Sequence, residues 1–153
     1  MTPAEYVDEI VVPTIIEFKS MRRSRRHAYL ACIAAFHVKD HLKKAGETSI
    51  ETAIRTAEPL AFDLVRAVCN GTKHVKTDAT HLIPFQAGDD MDRPAAIWGE
   101  AAFDVSRWDD EHGGREVAAG TINLDIYECV QAVLFAFKAK FPIHLGNCDL
   151  SGI

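Results

Sequence analysis

Ile50, Ala53, Ile54, Ala57, Ala61, Leu64, Val65 and Val68 recur at three- and four-residue intervals, the most regular apolar pattern in the chain. That spacing returns apolar side chains to one helix face on every turn, so the segment has to bury a long stripe against another element. Thr48 followed by Glu51 reads as a capping box at its start. Pro59 has no amide hydrogen to donate, which predicts a bend or a division into two helices.

Three further helices follow from local signals. Thr2-Pro3-Ala4-Glu5 offers a capping hydroxyl, a proline at the first helical position and a carboxylate three residues after the cap. Val7, Val11, Ile15 and Phe18 continue at helical spacing, with a kink or restart expected near Val12 because of Pro13. A second helix spans Ser24 to about Ala45 and closes at Gly46, a residue suited to the left-handed position after a helix end. A last helix runs from about Asp125 to Lys140, with acidic residues at its start, Lys138 and Lys140 at its end, and Pro142 beyond.

Residues 76 to 95 read as irregular, because Pro84, Gly88, Pro94 and an acidic run interrupt any period. Ala102 to Trp108 alternates in polarity and Val117 to Ile122 returns after a turn-rich stretch, which predicts a hairpin. The expected fold is mainly α within the α+β class: a four-helix bundle core in a single domain over residues 1–153, with a small β-hairpin inserted at about 96–122 before the last helix.

A chain of this length buries enough surface to fold without staples. Cys32, Cys69, Cys129 and Cys148 are widely spaced, form no C-x-x-C pair and read as reduced thiols. Glu5, Asp8 and Glu9 stand where a signal peptide would place its basic and apolar regions, so a cytoplasmic protein is expected. The stretch from Val130 to Phe137 is far short of the roughly 20 residues that span a bilayer, and no membrane partner is expected. Asn70-Gly71-Thr72 spells a glycosylation acceptor that an unexported chain does not use. A net charge of −5 argues against coating nucleic acid indiscriminately. Lys19, Arg22, Arg23, Arg25 and Arg26 nevertheless crowd into eight residues, while Asp89, Asp90, Asp92, Asp104, Asp109, Asp110 and Glu111 concentrate mid-chain. The basic cluster reads either as a phosphate-binding patch or as a solvated connection that pairs loosely with the acidic loops.

Polar residues on the second helix carry the functional reading. Steps of 100° place Tyr29, Leu30, Ile33 and Phe36 on one arc, and His37 and Asp40 fall inside it, so both are expected to be partly buried and paired. A carboxylate three residues from an imidazole can fix its tautomer and make it a general base. His37 and His41 also stand at the spacing of two metal-binding histidines on a helix, with His27, Asp40, His74 and His81 as the remaining ligand candidates. No metal or cofactor is assigned from that spacing. Asn70, Lys73 and His74 share a face with Asp63 and Arg66 if the helix continues through His74; alternatively Gly71 ends it.

The short capped helices, the arginine-rich lead into His27 and the Asn-x-x-Lys-His exit together resemble the HEPN-like helical families of prokaryotes, over about residues 24–75. Many such families belong to toxin, phage-defence or RNA-processing systems. The resemblance implies a four- or five-helix bundle, frequent homodimers and, in active members, a metal-independent ribonuclease using an arginine and a histidine four to six residues apart. Arg22 and His27 keep that interval, although early in the chain. Near Asn70 the arginine is displaced: Cys69 precedes the asparagine and Arg66 stands further from His74. On this reading His37 or His74 takes a proton from a ribose 2′-hydroxyl, Asp40 orients the imidazole, and Lys73 or Arg66 stabilises charge on phosphate. Arg22, Arg26, Arg66 and Asn70 are then the RNA- or nucleotide-binding residues. Two rivals remain open: a non-catalytic homodimeric module in which the stripe of the first or last helix packs on its copy, and a small-ligand or metal-binding bundle with His37, Asp40, Lys73 and His74 in one cleft.

Overall fold

The computed structural model describes residues 1–74, 85–86 and 88–153, with the backbone alone for Lys73 and His74. His81 and Pro84 lie outside the described residues, as does half of the stretch expected to be irregular. The fold is mainly α with a small antiparallel sheet.

Helix α1 (Pro3–Tyr6) begins with the capping box foreseen at Thr2: its hydroxyl accepts from the Glu5 amide and the Glu5 carboxylate accepts from the Thr2 amide. A π-helical turn, Val7–Val11, follows, in which the Val12 amide donates to the Val7 carbonyl, and α2 (Val12–Ser20) restarts with Pro13 in its first turn. The wider turn absorbs the missing proline donor at the expected restart. Val7, Val11, Ile15 and Phe18 all remain in the core.

Helix α3 (Arg25–Lys44) is capped by Ser24 and ends before Gly46, whose φ of 98° is the left-handed exit expected there. Its deepest face is made of small residues, Ala28, Ala31, Cys32, Ala35 and Val38, with Leu42. The arc drawn through Leu30 and Ile33 is therefore its flank: Leu30 is exposed and Ile33 only half-buried. Close helix approach favours the alanine face, a preference that a hydrophobicity sum misses.

Pro59 divides the next helix in two, α4 (Ile50–Ala57) and α5 (Pro59–His74). The Thr48–Glu51 capping box is not formed. Ser49 is the cap residue, in a left-handed conformation with no side-chain bond to the first turn. Glu51 turns instead to Lys39 and Arg66, because two cations attract it more strongly than one backbone amide. Helix α5 runs through Gly71 to His74. A Cβ at Gly71 would lie 2.5 Å from Cδ1 of Phe85, so this glycine serves close packing and does not end the helix.

Strands β1 (Met91–Arg93), β2 (Gly114–Ala119) and β3 (Ile122–Asp125) form an antiparallel sheet in that order. Residues Ala102–Trp108, expected as a hairpin arm, instead form turns, with Asp104 and Asp109 at positive φ. The hairpin joins β2 to β3 through Gly120 and Thr121, and Gly120 at φ 66° supplies the left-handed position such short turns need. Helix α6 (Ile126–Lys140) follows directly, capped by Asp125, and a short α7 (Pro142–Leu145) turns back.

The first helical stretch, α3, α5 and α6 form the four-helix core, with α4 against α5 and α6 and the sheet on α6. The apolar stripes of the first and last helices lie inside this core. The chain's own helices thus cover those stripes, while Ile10, Ile16 and Phe135 on the same helices face outward. Among the described residues, no helix is long and apolar enough to cross a membrane.

Candidate functional site

The last turns of α3 and the start of α4 enclose a polar pocket of about 580 Å³ whose lining includes Lys39, Asp40, Lys43, Glu47, Ser49 and Glu51. Asp40, one of the lining residues, has Oδ2 2.7 Å from His37 Nδ1, so the couple expected from their spacing is formed. It is more open than expected: the side chains are 32% and 49% exposed, because they stand on the flank of α3 and its alanine face takes the core. With Nδ1–H donating to the carboxylate, the other ring nitrogen carries the lone pair, the arrangement an acid–base imidazole needs.

Lys39 links this couple to α5. Its ammonium is 2.8 Å from Glu51 Oε1 and 3.9 Å from Asp40 Oδ1, and it stacks over the Phe36 ring. The other oxygen of Glu51 receives Arg66 Nη1 at 2.8 Å. Three of the residues singled out from sequence, His37, Asp40 and Arg66, therefore share one chain of polar contacts. Lys39 and Glu51 are the links that sequence reasoning missed. A Lys-Asp pair beside the histidine was visible as a signal, but Glu51 had been assigned to a cap.

Across the pocket, Glu47 contacts His144 Nε2 at 3.1 Å. Glu47 and Glu51 thus each meet a cationic or imidazole group, whereas Lys43 makes no ion pair among the described residues. Asp63, Arg66 and Asn70 follow one partly buried line along α5 toward Lys73 and His74. The shared face foreseen for these residues is realised as far as Asn70; the side chains of Lys73 and His74 lie outside the described set.

The remaining candidates go elsewhere. Arg22 contacts buried Asp125 at 3.1 Å and lies over the Tyr127 ring, while His27 Nδ1 faces the Ser24 hydroxyl at 2.7 Å. Arg22 and His27 therefore do not make a shared site, since each is held by a separate structural partner. Arg26 is exposed on the outer surface of α3. His41 stacks on Tyr6 with ring centroids 4.0 Å apart. Among the described residues no group of three His, Cys, Asp or Glu side chains is arranged to hold a metal.

A second polar assembly joins the basic cluster to the mid-chain acidic residues, one of the two readings of that cluster, but its centre at Arg93, Glu116 and Asp125 was not foreseen. Arg93, 2% exposed, is surrounded by Asp110, Glu116 at 2.7 Å and Asp125 at 2.6 Å. Arg25 and Arg115 converge on Asp90, whose carboxylate also accepts from the Tyr29 hydroxyl at 2.6 Å. Burial, followed by that bond, pushes the Tyr29 phenol up to about 12. Arg23 binds Asp92 with two nitrogens and reaches Glu100. Arg22, Arg23 and Arg25 of the basic cluster thus pair with acidic residues of the sheet region: Arg22 in a buried contact with Asp125, Arg25 half-exposed over buried Asp90, and Arg23 with partners at the surface. These groups clamp the sheet to the bundle. Compared with protein-family models, with curated proteins and with solved structures, the chain matches none.

Proposed function

We propose that the chain binds a phosphate ester, RNA or a nucleotide, at the α3–α4 pocket, with His37 and Asp40 as an acid–base couple. The observation that carries this reading is the 2.7 Å His37–Asp40 contact, with Asp40 lining a pocket that also holds Lys43, which makes no ion pair among the described residues. Lys43 supplies a charge for phosphate, and the flank position leaves His37 within reach of a ribose hydroxyl. Arg66 and Asn70 lead along α5 to Lys73 and His74, the residues that the HEPN-like resemblance marks. Ribonuclease chemistry is the stronger form of the proposal: His37 accepts the 2′-hydroxyl proton and a cationic side chain from α5 stabilises charge on phosphate.

Fluorescence anisotropy with a labelled single-stranded RNA tests binding. A Kd of about 10⁻⁴–10⁻⁶ M, weakened roughly tenfold by Lys43→Glu and by added salt, is expected, and no binding by about 1 mM sinks the reading. Incubation with unlabelled RNA tests the stronger form, in which His37→Ala abolishes fragments while leaving affinity within about threefold. Intact RNA at enzyme excess removes the catalytic step and leaves binding to be judged on the first measurement.

A further inference from the structure

The segment 96–111 presents three aromatic rings almost entirely to solvent: Trp98 is fully exposed, Phe103 is 93% and Trp108 is 96% exposed. Rings of this size bury about 150–250 Å² each on contact, so together they offer roughly 450–750 Å², close to the ~800 Å² that one side of a stable protein interface contributes. Phe103 and Trp108 border a cavity of about 710 Å³ floored by Ile97 and Ala102.

The loop is held at its base while its rings stand out. The Ala96 amide donates to the Asp110 carbonyl at 2.7 Å, the Ala102 amide to the Ser106 hydroxyl at 2.9 Å, and Asp110 is ion-paired to buried Arg93. At Gly113, φ is 66° and a Cβ would lie 2.4 Å from the Arg93 carbonyl, so the backbone closes tightly over this anchor. A surface tethered in this way loses little freedom when it binds.

Charge decides what fits there. Asp104, Asp109 and Glu111 line the same cavity and make no ion pair among the described residues, whereas Asp90, Asp92, Glu100, Asp110, Glu116, Asp125 and Glu128 around the sheet all do. Two such loops facing each other across a twofold axis would oppose like charges, which argues against a second copy. The same carboxylates repel nucleic acid and anionic lipid. Exposed indoles beside unmatched carboxylates instead suit arginine or lysine side chains, held over ring faces and by ion pairing, with apolar neighbours entering the cavity.

We infer that the 96–111 loop docks a basic, apolar-bearing segment of a partner protein. Trp98 and Trp108 are the chain's two tryptophans, so intrinsic fluorescence reports on this loop alone. The whole chain is titrated with a synthetic peptide of alternating lysine and leucine, with a glutamate–leucine peptide, and with phosphatidylcholine vesicles. The lysine peptide is expected to shift the emission to the blue and bind at least about tenfold more tightly than the acidic one, less so in high salt. Asp104→Asn, Asp109→Asn and Glu111→Gln together should remove that preference without altering thermal unfolding, since asparagine tolerates positive φ. An unshifted spectrum, equal affinity for the two peptides or a shift with vesicles alone overturns the inference. Tryptophan-dependent dimerisation in sedimentation overturns it in favour of a second copy.

Discussion

Arg93 and Asp125, 32 residues apart in sequence, meet at 2.6 Å inside the protein, and the same carboxylate caps α6 by accepting from the amides of Tyr127 and Glu128. One side chain thus starts a core helix and anchors the sheet.

Replacing Asp125 should be among the most damaging single changes. Asp125→Ala removes the cap and strands Arg93 with part of its counter-charge missing, a loss of about 3–5 kcal/mol for a broken buried pair. Asp125→Asn keeps a capping oxygen and should lie between that variant and the wild type. Urea unfolding measures both, and a loss below about 1 kcal/mol for the alanine variant contradicts the clamp.

Gly71 sits inside a helix, where alanine is usually better by about 1 kcal/mol. Here the Phe85 ring occupies the space for a Cβ, so Gly71→Ala should lower stability by about 1–3 kcal/mol. Pairing it with Phe85→Leu should recover part of that loss. A more stable Gly71→Ala would show that the ring yields freely.

The hydrogen bond from Arg23 holds the Asp92 carboxyl below the usual aspartate range. A depressed folded value means the contribution is present above the unfolded pKa and disappears as the pH falls through the folded one. Both partners are substantially exposed, so the effect should stay within about 1 kcal/mol. Unfolding measured from neutral to acid pH should show a shallower decline for Asp92→Asn than for wild type. Identical slopes would remove this pair as a contributor.

All four cysteines are buried, and none is in a disulfide. Burial pushes Cys129 up to about 12 and Cys148 to about 11, and raises Cys32 well above its ordinary value. Thiolates are the reactive form, so the folded protein should react slowly with an aromatic disulfide reagent at mildly alkaline pH. Four equivalents should appear after denaturation. Rapid labelling of the native chain would place a thiol at the surface.

Features set within one turn of a helix were legible in the sequence. Thr2, Ser24 and Asp125 mark helix starts, and Pro59 divides α4 from α5, because a cap or a missing donor acts on its immediate neighbours. The His37–Asp40 couple belongs to the same class, since three residues on one helix suffice to bring the groups together. A small antiparallel hairpin before the last helix was legible, but the positions of the sheet's strands were not. Arg93, Glu116 and Asp125 occupy its buried positions, so its inward face carries charges where an alternating pattern seeks apolar residues. Ala102–Trp108 has the alternation without the sheet, and its large side chains point into solvent. Ion pairs between distant segments have no local spacing to betray them, which also explains why Lys39 and Glu51 were not joined to the site in advance.

The contact between Arg22 and Asp125 spans 103 residues. At about 5–20 residues per second, a ribosome releases the second partner roughly 5–20 s after the first. Throughout that interval Arg22 has emerged without its partner, whereas Asp90, Asp92 and Glu100, which take Arg25 and Arg23, emerge earlier than Asp125. A nascent chain paused before its last helix therefore already holds the partners of Arg23 and Arg25 and lacks the one carboxylate that Arg22 and Arg93 share, so the last link between the turn before α3, the sheet and the helix closes when residue 125 arrives.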